Sequence, residues 1–332
     1  MAMTIEQIAK NLGVSTTTVK LVYNGKADKY RISSKTQQRV NEFIEKNGII
    51  VNQTARSLKL KKSNTLGLVV TSVTNVFFSS LIEHFEKESR KIGYQLITVS
   101  TDGCEKKEKE VTVNLIERGV DGIFIVPSSE NQQLDTIKKF TQKPIIFLDQ
   151  DFKVKDQSVV MSDNYQAFTE LTREILAKKV SEVYVVSGDS ELPSIRARLQ
   201  GFVDGYKSLN QQPVSNWLYA VPKNKFQDGY EGMQALVREN KRVPEAVVFS
   251  SLPILEGALH FLKIHKGVIP NSLVIGTFDE HTMLEFLPNT VVSVQQDSAS
   301  IAHNACKLMQ ENIDKNPVSK RIIVPAKVIS RG

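Results

Sequence analysis

The chain has few cysteines and no long apolar run. Its 332 residues include only two cysteines, Cys104 and Cys306, which lie far apart and form no C-x-x-C pair. We expect buried free thiols in a reducing compartment, and neither a disulfide nor a metal site. No apolar run approaches the roughly 20 residues that cross a bilayer, and the amino terminus lacks a cationic-then-apolar signal pattern. These absences predict a cytoplasmic protein without a membrane partner.

Common enzyme motifs are also missing. No G-x-G-x-x-G follows an apolar strand-like run, and neither G-x-x-x-x-G-K-[ST] nor H-E-x-x-H occurs. The histidines show no metal-ligand spacing, and we expect them at surface or hydrogen-bonded helix positions. They are His84, His260, His265, His281 and His303. The sequence therefore predicts a protein that is not an enzyme and that has no cofactor and no metal.

Positive charge is concentrated near the amino terminus. Residues 1–63 carry 12 Lys and Arg against 4 Asp and Glu, a net charge of +8, while the remaining residues carry 31 against 32. A local cationic patch is typical of proteins that bind polyanions, because each Lys or Arg near a phosphate releases condensed counterions. A small module that binds double-stranded DNA, attached to a large and nearly neutral body, is the expectation.

The first fifty residues have the pattern of a helix-turn-helix. Apolar residues at helical spacing predict the first helix: Ile5, Ile8, Ala9 and Leu12. Ser15 then stands at the N-cap position of a second helix over residues 16–23. Ser33 or Ser34 caps a third helix over residues 35–46.

The second helix is expected to read DNA. In this motif the amino-terminal residues of the second helix contact base edges in the major groove. The outward candidates are Thr16, Thr17, Lys20 and Leu21, and Asn24 and Arg31 are further DNA-binding candidates. The alternative is a small helical domain that docks another protein.

Residues 52–62, NQTARSLKLKK, are short, basic and mildly helical. Such a charge run is usually a solvated linker. Leu58 is an apolar side chain amid cations, and apolar wedges inserted at a minor-groove base step kink DNA. A segment of this kind could be disordered when free and helical on DNA.

Together these stretches resemble the lactose-repressor/galactose-repressor (LacI/GalR) family of bacterial transcription factors. The resemblance is carried by IEQIAKNLGVSTTTVKLVYNGK, by KTQQRVNEFIEKNG and by the hinge pattern N-x-x-A-R-x-L at Asn52, Ala55, Arg56 and Leu58. It implies that Thr16, Thr17 and Leu21 read bases and that Leu58 is the minor-groove lever. Val51 departs from the proline that the family usually has there.

Further stretches are most similar to the sucrose-operon-repressor branch of that family, next to the fructose-repressor branch. They are GKADKYRIS, NLIERGVDGIFIV, VVMSDN, LPSIRARLQGF, TFDEH and VVSVQQD. The resemblance implies a transcriptional repressor of sugar-utilisation genes, of which sucrose genes are the first candidate.

From Thr65 onward, short apolar runs alternate with amphipathic helices in two series. This pattern predicts parallel sheets covered on both faces, hence two α/β subdomains. The resemblance implies the two-subdomain fold of periplasmic binding proteins with a sugar-binding cleft. The expected boundaries are a helix-turn-helix headpiece 1–50, a hinge 51–63 and a core 64–332, divided into an N-subdomain of about 64–163 and 295–322 and a C-subdomain of about 164–294 and 323–332.

Ligands bind at the carboxyl ends of strands in such sheets. The residues there that match effector-contacting positions of the family are Asn75, Phe77, Phe78, Asp149, Asp163, Arg198, Ser251, Asp279 and Gln296. Arg suits bidentate capture of hydroxyls or phosphate, and Asp accepts hydrogen bonds from hydroxyls.

Each candidate also has a structural alternative. Phe77 and Phe78 could be helix core, Ser162 and Asp163 could cap the next helix, and Arg198 could form a surface salt bridge. Asp149, Asp279 and Gln296 could be loop caps or turn formers.

Two departures from the family bear on the ligand. Gln150 stands where related members often have arginine, and Ser250 and Ser251 replace the Asn-Asp of lactose-type members. The first departure weakens the case for a strongly anionic ligand.

We expect a cytoplasmic, nucleoid-associated homodimer, because the helix that makes some members tetrameric is absent after Gly332 and a two-fold axis matches a pseudo-palindromic operator. The effector candidates are fructose, a fructose phosphate or sucrose. The alternatives are a corepressor-type member whose ligand strengthens DNA binding, a sugar-binding protein without a DNA role, and a two-domain sugar enzyme.

Overall fold

A computed structural model describes residues 3–50, 62–140, 142–314 and 318–332. The chain divides into two compact units, Met1–Ser63 and Asn64–Gly332. No helix in the described ranges is long and apolar enough to cross a membrane. The hinge candidates lie outside the described residues: Val51, Asn52, Ala55, Arg56 and Leu58.

The first unit is helical. Its elements are α1 (Ile5–Leu12), α2 (Thr16–Tyr23), a 3-10 turn (Asp28–Tyr30), α3 (Ser34–Asn47) and a parallel pair of two-residue strands, β1 (Met3–Thr4) and β2 (Ile49–Ile50). The buried apolar side chains that hold the helices together are Ile5, Ile8, Ala9, Val19, Val22, Ala27 and Val40.

Side-chain caps set where these helices begin. The hydroxyls of Thr4, Ser15 and Ser33 each accept a hydrogen bond from the amide three residues ahead, at 3.3, 3.0 and 3.3 Å. Such caps satisfy amides that have no partner within the helix. Ser33 is therefore the cap of α3, and Ser34 is its first helical residue.

The second unit contains two six-stranded sheets. The strands of the first sheet are β3 (Thr65–Val70), β4 (Gln95–Ser100), β5 (Gly122–Ile125), β6 (Ile145–Leu148), β7 (Ser158–Ser162) and β13 (Arg321–Val324). Their order is β13-β7-β6-β5-β3-β4, and every pairing is parallel. The associated helices are α4 (Val76–Lys91), α5 (Glu105–Glu117), α6 (Glu130–Lys139) and α11 (Ser298–Asp314).

The second sheet is parallel except at one edge. Its strands are β8 (Val183–Ser187), β9 (Leu218–Ala220), β10 (Ala246–Phe249), β11 (Val274–Phe278), β12 (Val291–Gln295) and β14 (Lys327–Arg331), in the order β14-β12-β11-β10-β8-β9. Only β14 runs antiparallel, against β12. The associated helices are α7 (Asn164–Ala177), α8 (Pro193–Lys207), α9 (Phe226–Asn240) and α10 (Leu252–Lys266), and a 3-10 turn spans Thr282–Phe286.

In the described residues the chain passes between the two sheets after β7, after β12 and after β13. The last passage comes later than the predicted boundary at residues 322 and 323. Val324 still pairs with Ser162 and is buried, so the chain belongs to the first sheet up to that residue. The second passage likewise follows Gln295, which pairs with Lys327 in the second sheet.

Alternating side chains of the buried strands pack against helices on both faces. On β5, for example, Phe124 faces the core that α4 and α11 cover, whereas Ile123 and Ile125 face the other core. Cys306 is buried on α11, and burial raises the pKa of its thiol to about 12. The expectation of two buried thiols is wrong for Cys104, which lies in the turn before α5 and is exposed to solvent.

Candidate functional sites

The DNA-binding candidates of the first unit lie on and after α2. Thr17, Lys20, Asn24 and Arg31 are exposed, and Thr16 and Leu21 are half-buried. Thr17, Lys20 and Leu21 share one helix face by their spacing of three and four residues, and the buried Val19 and Val22 hold the opposite face in the core. A helix presented in this way has an outer face available for base edges.

Asn24 and Arg31 are placed by the backbone. The Asn24 side chain donates to the Lys20 carbonyl at 2.6 Å and ends α2. Arg31 adopts a left-handed conformation with φ of +54° after the 3-10 turn. Both side chains are exposed, so the structure leaves their DNA-binding role as a prediction.

The second unit has a cleft between its two sheets, with a volume of about 550 Å³ and both polar and apolar side chains in its lining. The strand ends of both sheets contribute side chains to its lining, as expected for parallel sheets. It brings together eight of the nine predicted effector residues: Asn75, Phe77, Phe78, Asp149, Arg198, Ser251, Asp279 and Gln296.

Asp163 is the exception. Its side chain caps α7, where Oδ1 accepts from the Gln166 amide at 3.0 Å, and it does not line the cleft. The effector contact of this residue therefore stays a prediction that its place in the structure does not support. Its position directly after β7 suits a helix cap, because the next helix begins one residue later.

Arg198 is the central cation of the cleft. It is only 5% exposed, Nε donates to Asn164 Oδ1 at 2.8 Å, and Nη1 donates to the Ser250 carbonyl at 2.6 Å. Its Cζ lies 3.5 Å from the centroid of the Phe278 ring, a cation–π arrangement. The alternative of a surface salt bridge is thus wrong.

The charges of two aspartates act on this arginine. Asp149 and Asp279 follow β6 and β11 with φ values of +63° and +78°, a backbone conformation that few residues other than glycine adopt. Burial raises the pKa of Asp149, while the charge of Arg198 opposes that rise and Asp279 adds to it. Burial lowers the pKa of Arg198, which Asp279 and Asp149 oppose. Arg198 and the aspartates therefore stabilise one another's charges in a place where water is scarce.

The two side-chain oxygens of Asp149 differ in their hydrogen bonding. Its Oδ2 accepts from Gln150 Nε2 at 2.7 Å, whereas its Oδ1 is buried and has no hydrogen-bond partner among the described residues. Because buried acceptors are normally satisfied, this oxygen marks a position where a ligand hydroxyl could donate.

Hydrogen bonds cross from one sheet to the other inside the cleft. Gln150, at the end of β6, donates to Ser194 Oγ at 2.8 Å and accepts from the Ser194 amide at 3.1 Å, at the start of α8. Gln296 donates to Asp279 Oδ1 at 2.6 Å and accepts from Ser162 Oγ at 2.6 Å. The subdomains are therefore joined by neutral amide side chains at the base of the cleft.

The start of α4 supplies the cleft's aromatic wall. Asn75 Oδ1 accepts from the Phe77 and Phe78 amides at 2.9 and 3.3 Å. The two rings lie 5.1 Å apart between centroids. Phe78 is buried in the core, as the structural alternative expected, and it also lines the cleft, where a ligand contact stays a prediction.

Several lining residues were not predicted. Ser251 Oγ donates to Asn224 at 2.8 Å, and Asn224 lies in a loop that also brings Lys223 and Lys225 to the cleft. Lys225 Nζ is 2.9 Å from Asp102 Oδ1 on the opposite subdomain, and this lysine lowers the pKa of Asp102. The loop follows β9, so it too lies at the carboxyl end of a strand.

Comparison with known proteins agrees with this architecture. A family model described as "Periplasmic binding proteins and sugar binding domain of LacI family" matches residues 63–329. The fructose operon regulatory protein of Vibrio cholerae is 32% identical over 92% of this chain and 93% of its own length. The sucrose operon repressor of Klebsiella pneumoniae is 30% identical over 94% of this chain and 92% of its own length.

A solved structure of the Lac repressor dimer, bound to operator and the anti-inducer ONPF, has a TM-score of 0.82. It is 18% identical and covers 99% of this chain and 98% of the solved one. The fold and the cleft define a two-subdomain protein of the periplasmic-binding-protein type. The chain belongs to the LacI family, as the match over residues 63–329 shows.

Proposed function

We propose that this protein is a sequence-specific DNA-binding repressor of sugar-utilisation genes, released from its operator by a sugar bound in the cleft. The observation that carries the proposal is a cleft lined by the buried Arg198 and two strand-end aspartates, in a chain that also has a helical unit with net positive charge. The names of the relatives support fructose or sucrose operons as targets.

The first unit would supply DNA recognition. Thr17, Lys20 and Leu21 are on one face of α2, and two copies of that helix in successive major grooves would match a pseudo-palindromic site. This requires a homodimer, for which the dimeric Lac repressor structure is the supporting parallel. Arg56 and Leu58 of the hinge would add minor-groove contacts.

The cleft would supply control. A ligand shifts a two-state equilibrium only if it binds one state more tightly. The hydrogen bonds from Gln150 to Ser194 and from Ser162 to Gln296 join the two subdomains inside the cleft. A sugar whose hydroxyls bind the same groups would change the balance between two arrangements of the subdomains, and so favour the arrangement that releases DNA.

The test begins with the operator, because no target sequence is given by the chain. The full-length protein is used to select double-stranded DNA from a random library, and its selected sites are compared with those of a Thr17→Ala variant. We expect wild type to enrich a sequence with two-fold pseudo-symmetry, and the variant to lose discrimination at specific positions. Selection that enriches no sequence would contradict the proposal.

A further inference from the structure

Three of the helices that begin at the cleft, α4, α8 and α10, have amides in their first turn that are already occupied. Helix amino termini are favourable phosphate sites, because unpaired N–H groups and the helix dipole point at the ligand. At α4, Asn75 Oδ1 holds the amides of Phe77 and Phe78 at 2.9 and 3.3 Å. A phosphate would have to displace this side chain to use them.

The start of α8 is closed in a similar way. Its first residue, Pro193, has no amide proton, and the next amide, that of Ser194, donates to Gln150 Oε1 at 3.1 Å. The group that caps this helix is a neutral carboxamide held by three hydrogen bonds, to Asp149 and twice to Ser194. It contributes no positive charge to the cleft.

The start of α10 is occupied by a negative group. The Leu252 amide donates to Asp279 Oδ2 at 3.5 Å, and the following residue, Pro253, has no amide proton. A carboxylate at a helix amino terminus is stabilised by the dipole. An incoming phosphate would therefore meet like charge at this point.

The charges of the cleft's side chains also disfavour a bound phosphate. Among the described lining residues, five are carboxylic acids and three are cations: Asp102, Asp149, Asp189, Glu256 and Asp279 against Arg198, Lys223 and Lys225. Lys225 is paired with Asp102. Arg198 is faced by Asp149 and Asp279 and stacked on Phe278, so its charge is already compensated.

We propose that the cleft is built for an uncharged sugar and discriminates against its phosphorylated form. The inference rests on the proposed function in that it takes the ligand to be a sugar. Hydroxyls suit the groups present, because the unpartnered Asp149 Oδ1 and the carboxylate of Asp279 are acceptors. Phe77 and the exposed Phe226 offer apolar surface for the carbon face of a sugar ring.

Calorimetric titration of the full-length protein without DNA tests this. The probes are sucrose, fructose and glucose, compared with fructose 1-phosphate, fructose 1,6-bisphosphate and inorganic phosphate. We expect at least one neutral sugar to bind roughly tenfold or more tightly than any phosphorylated probe, a difference of about 1.4 kcal/mol or more. Its affinity should change little with salt, because no ion pair with the ligand is formed.

A Gln150→Arg variant makes the charge argument explicit. It places a cation at the start of α8, and we expect the ratio of fructose 1-phosphate affinity to neutral-sugar affinity to rise. This variant is used only if its circular dichroism and thermal unfolding show that it folds. If it does not fold, the salt dependence of ligand affinity in the wild-type protein still tests whether the preferred ligand is uncharged.

The outcomes separate the two proposals. Tighter binding of a phosphorylated sugar overturns the uncharged-sugar inference and leaves a sugar-responsive repressor intact. If no probe of either kind binds, both the inference and the sugar-binding role of the cleft fail. Operator selection, which uses no sugar, tests the DNA-binding role separately.

Discussion

The guanidinium of Arg198 lies over the ring of Phe278, with Cζ 3.5 Å from the ring centroid. Phe278 itself stacks on Phe168, with centroids 6.2 Å apart and an interplanar angle of 20°. The position of the guanidinium is thus fixed by the Phe278 ring and by hydrogen bonds to Asn164 and the Ser250 carbonyl. A ligand that reaches the cleft meets an arginine whose position is set before binding, which lowers the ordering cost of recognition.

Arg198→Ala should destabilise the protein strongly. Removing one partner from a buried set of charges leaves the others uncompensated, which typically costs about 3–5 kcal/mol. Arg198→Lys should recover part of this loss, because lysine keeps the charge but not the planar stacking group. Urea denaturation monitored by circular dichroism measures the free energy of unfolding.

The matched control for Arg198 is Arg196→Ala. Arg196 lies on the same helix and is exposed, so its removal should change the free energy of unfolding by less than about 0.5 kcal/mol. Equal effects of the two alanine variants would contradict the account of Arg198 as a buried, compensated cation.

Glu108 predicts an unusual pH dependence of stability. This glutamate on α5 is fully buried. Its Oε2 accepts from the Ser128 amide at 2.7 Å, while Oε1 has no hydrogen-bond partner among the described residues. Burial raises the pKa of Glu108 from 4.5 to about 7 in the folded protein, although the hydrogen bonds from Ser128 oppose this rise.

The sign follows from proton linkage. Between pH 4.5 and about 7 the folded state holds a proton that the unfolded state has lost, so the Glu108 contribution to stability falls as pH rises through that window. Across the whole window the free energy of unfolding falls by about 3 kcal/mol, as the difference between the folded and unfolded pKa values of Glu108 implies. Glu108→Gln removes this loss, so at pH 8 the variant should be the more stable protein, with the gap closing toward pH 4.

Chemical denaturation at several pH values measures the effect of Glu108→Gln. Glu110→Gln, at an exposed position of the same helix, should keep the wild-type pH dependence. If the difference between wild type and Glu108→Gln were constant with pH, the proton assigned to Glu108 would be wrong.

Lys20→Ala should weaken DNA binding mainly through its charge. The side chain is exposed on the outer face of α2, and if its ammonium neutralises a phosphate beside the bases, its loss reduces the slope of log affinity against log salt by about 0.9. Fluorescence anisotropy with selected DNA at several salt concentrations gives this slope. Lys138→Ala, exposed on α6 of the second unit, is the control and should leave the slope unchanged.

Leu58→Ala tests the hinge prediction. If Leu58 inserts at a minor-groove step, its loss removes the apolar wedge that holds bent DNA, so operator affinity should fall while sugar binding measured by calorimetry stays intact. Undiminished operator binding by this variant would rule out the lever assignment.

Local patterns in the sequence were enough to predict the helices of the first unit and most strands of the second. Ser15 and the buried Val19 and Val22 are set by neighbours a few residues away, so spacing alone located α2. Strand ends are also local features, so Asp149 and Asp279 could be placed at the ends of strands, and the family resemblance then marked them as effector-binding candidates.

Contacts between distant segments could not be predicted in this way. The capping of α8 by Gln150 joins residues 44 positions apart, and the burial of Glu108 depends on a loop 20 positions away. Asp163 shows that a local pattern can also fit two roles. Its residue type and its position after a strand suit a helix cap and a ligand contact equally well.

The most direct test is the operator affinity of the purified full-length protein, measured by fluorescence anisotropy at fixed salt while sucrose, fructose or a fructose phosphate is added. We expect tight binding to the selected DNA and release by an uncharged sugar at saturation. DNA that stays bound, or binds more tightly, at saturating concentrations of every sugar would contradict this expectation.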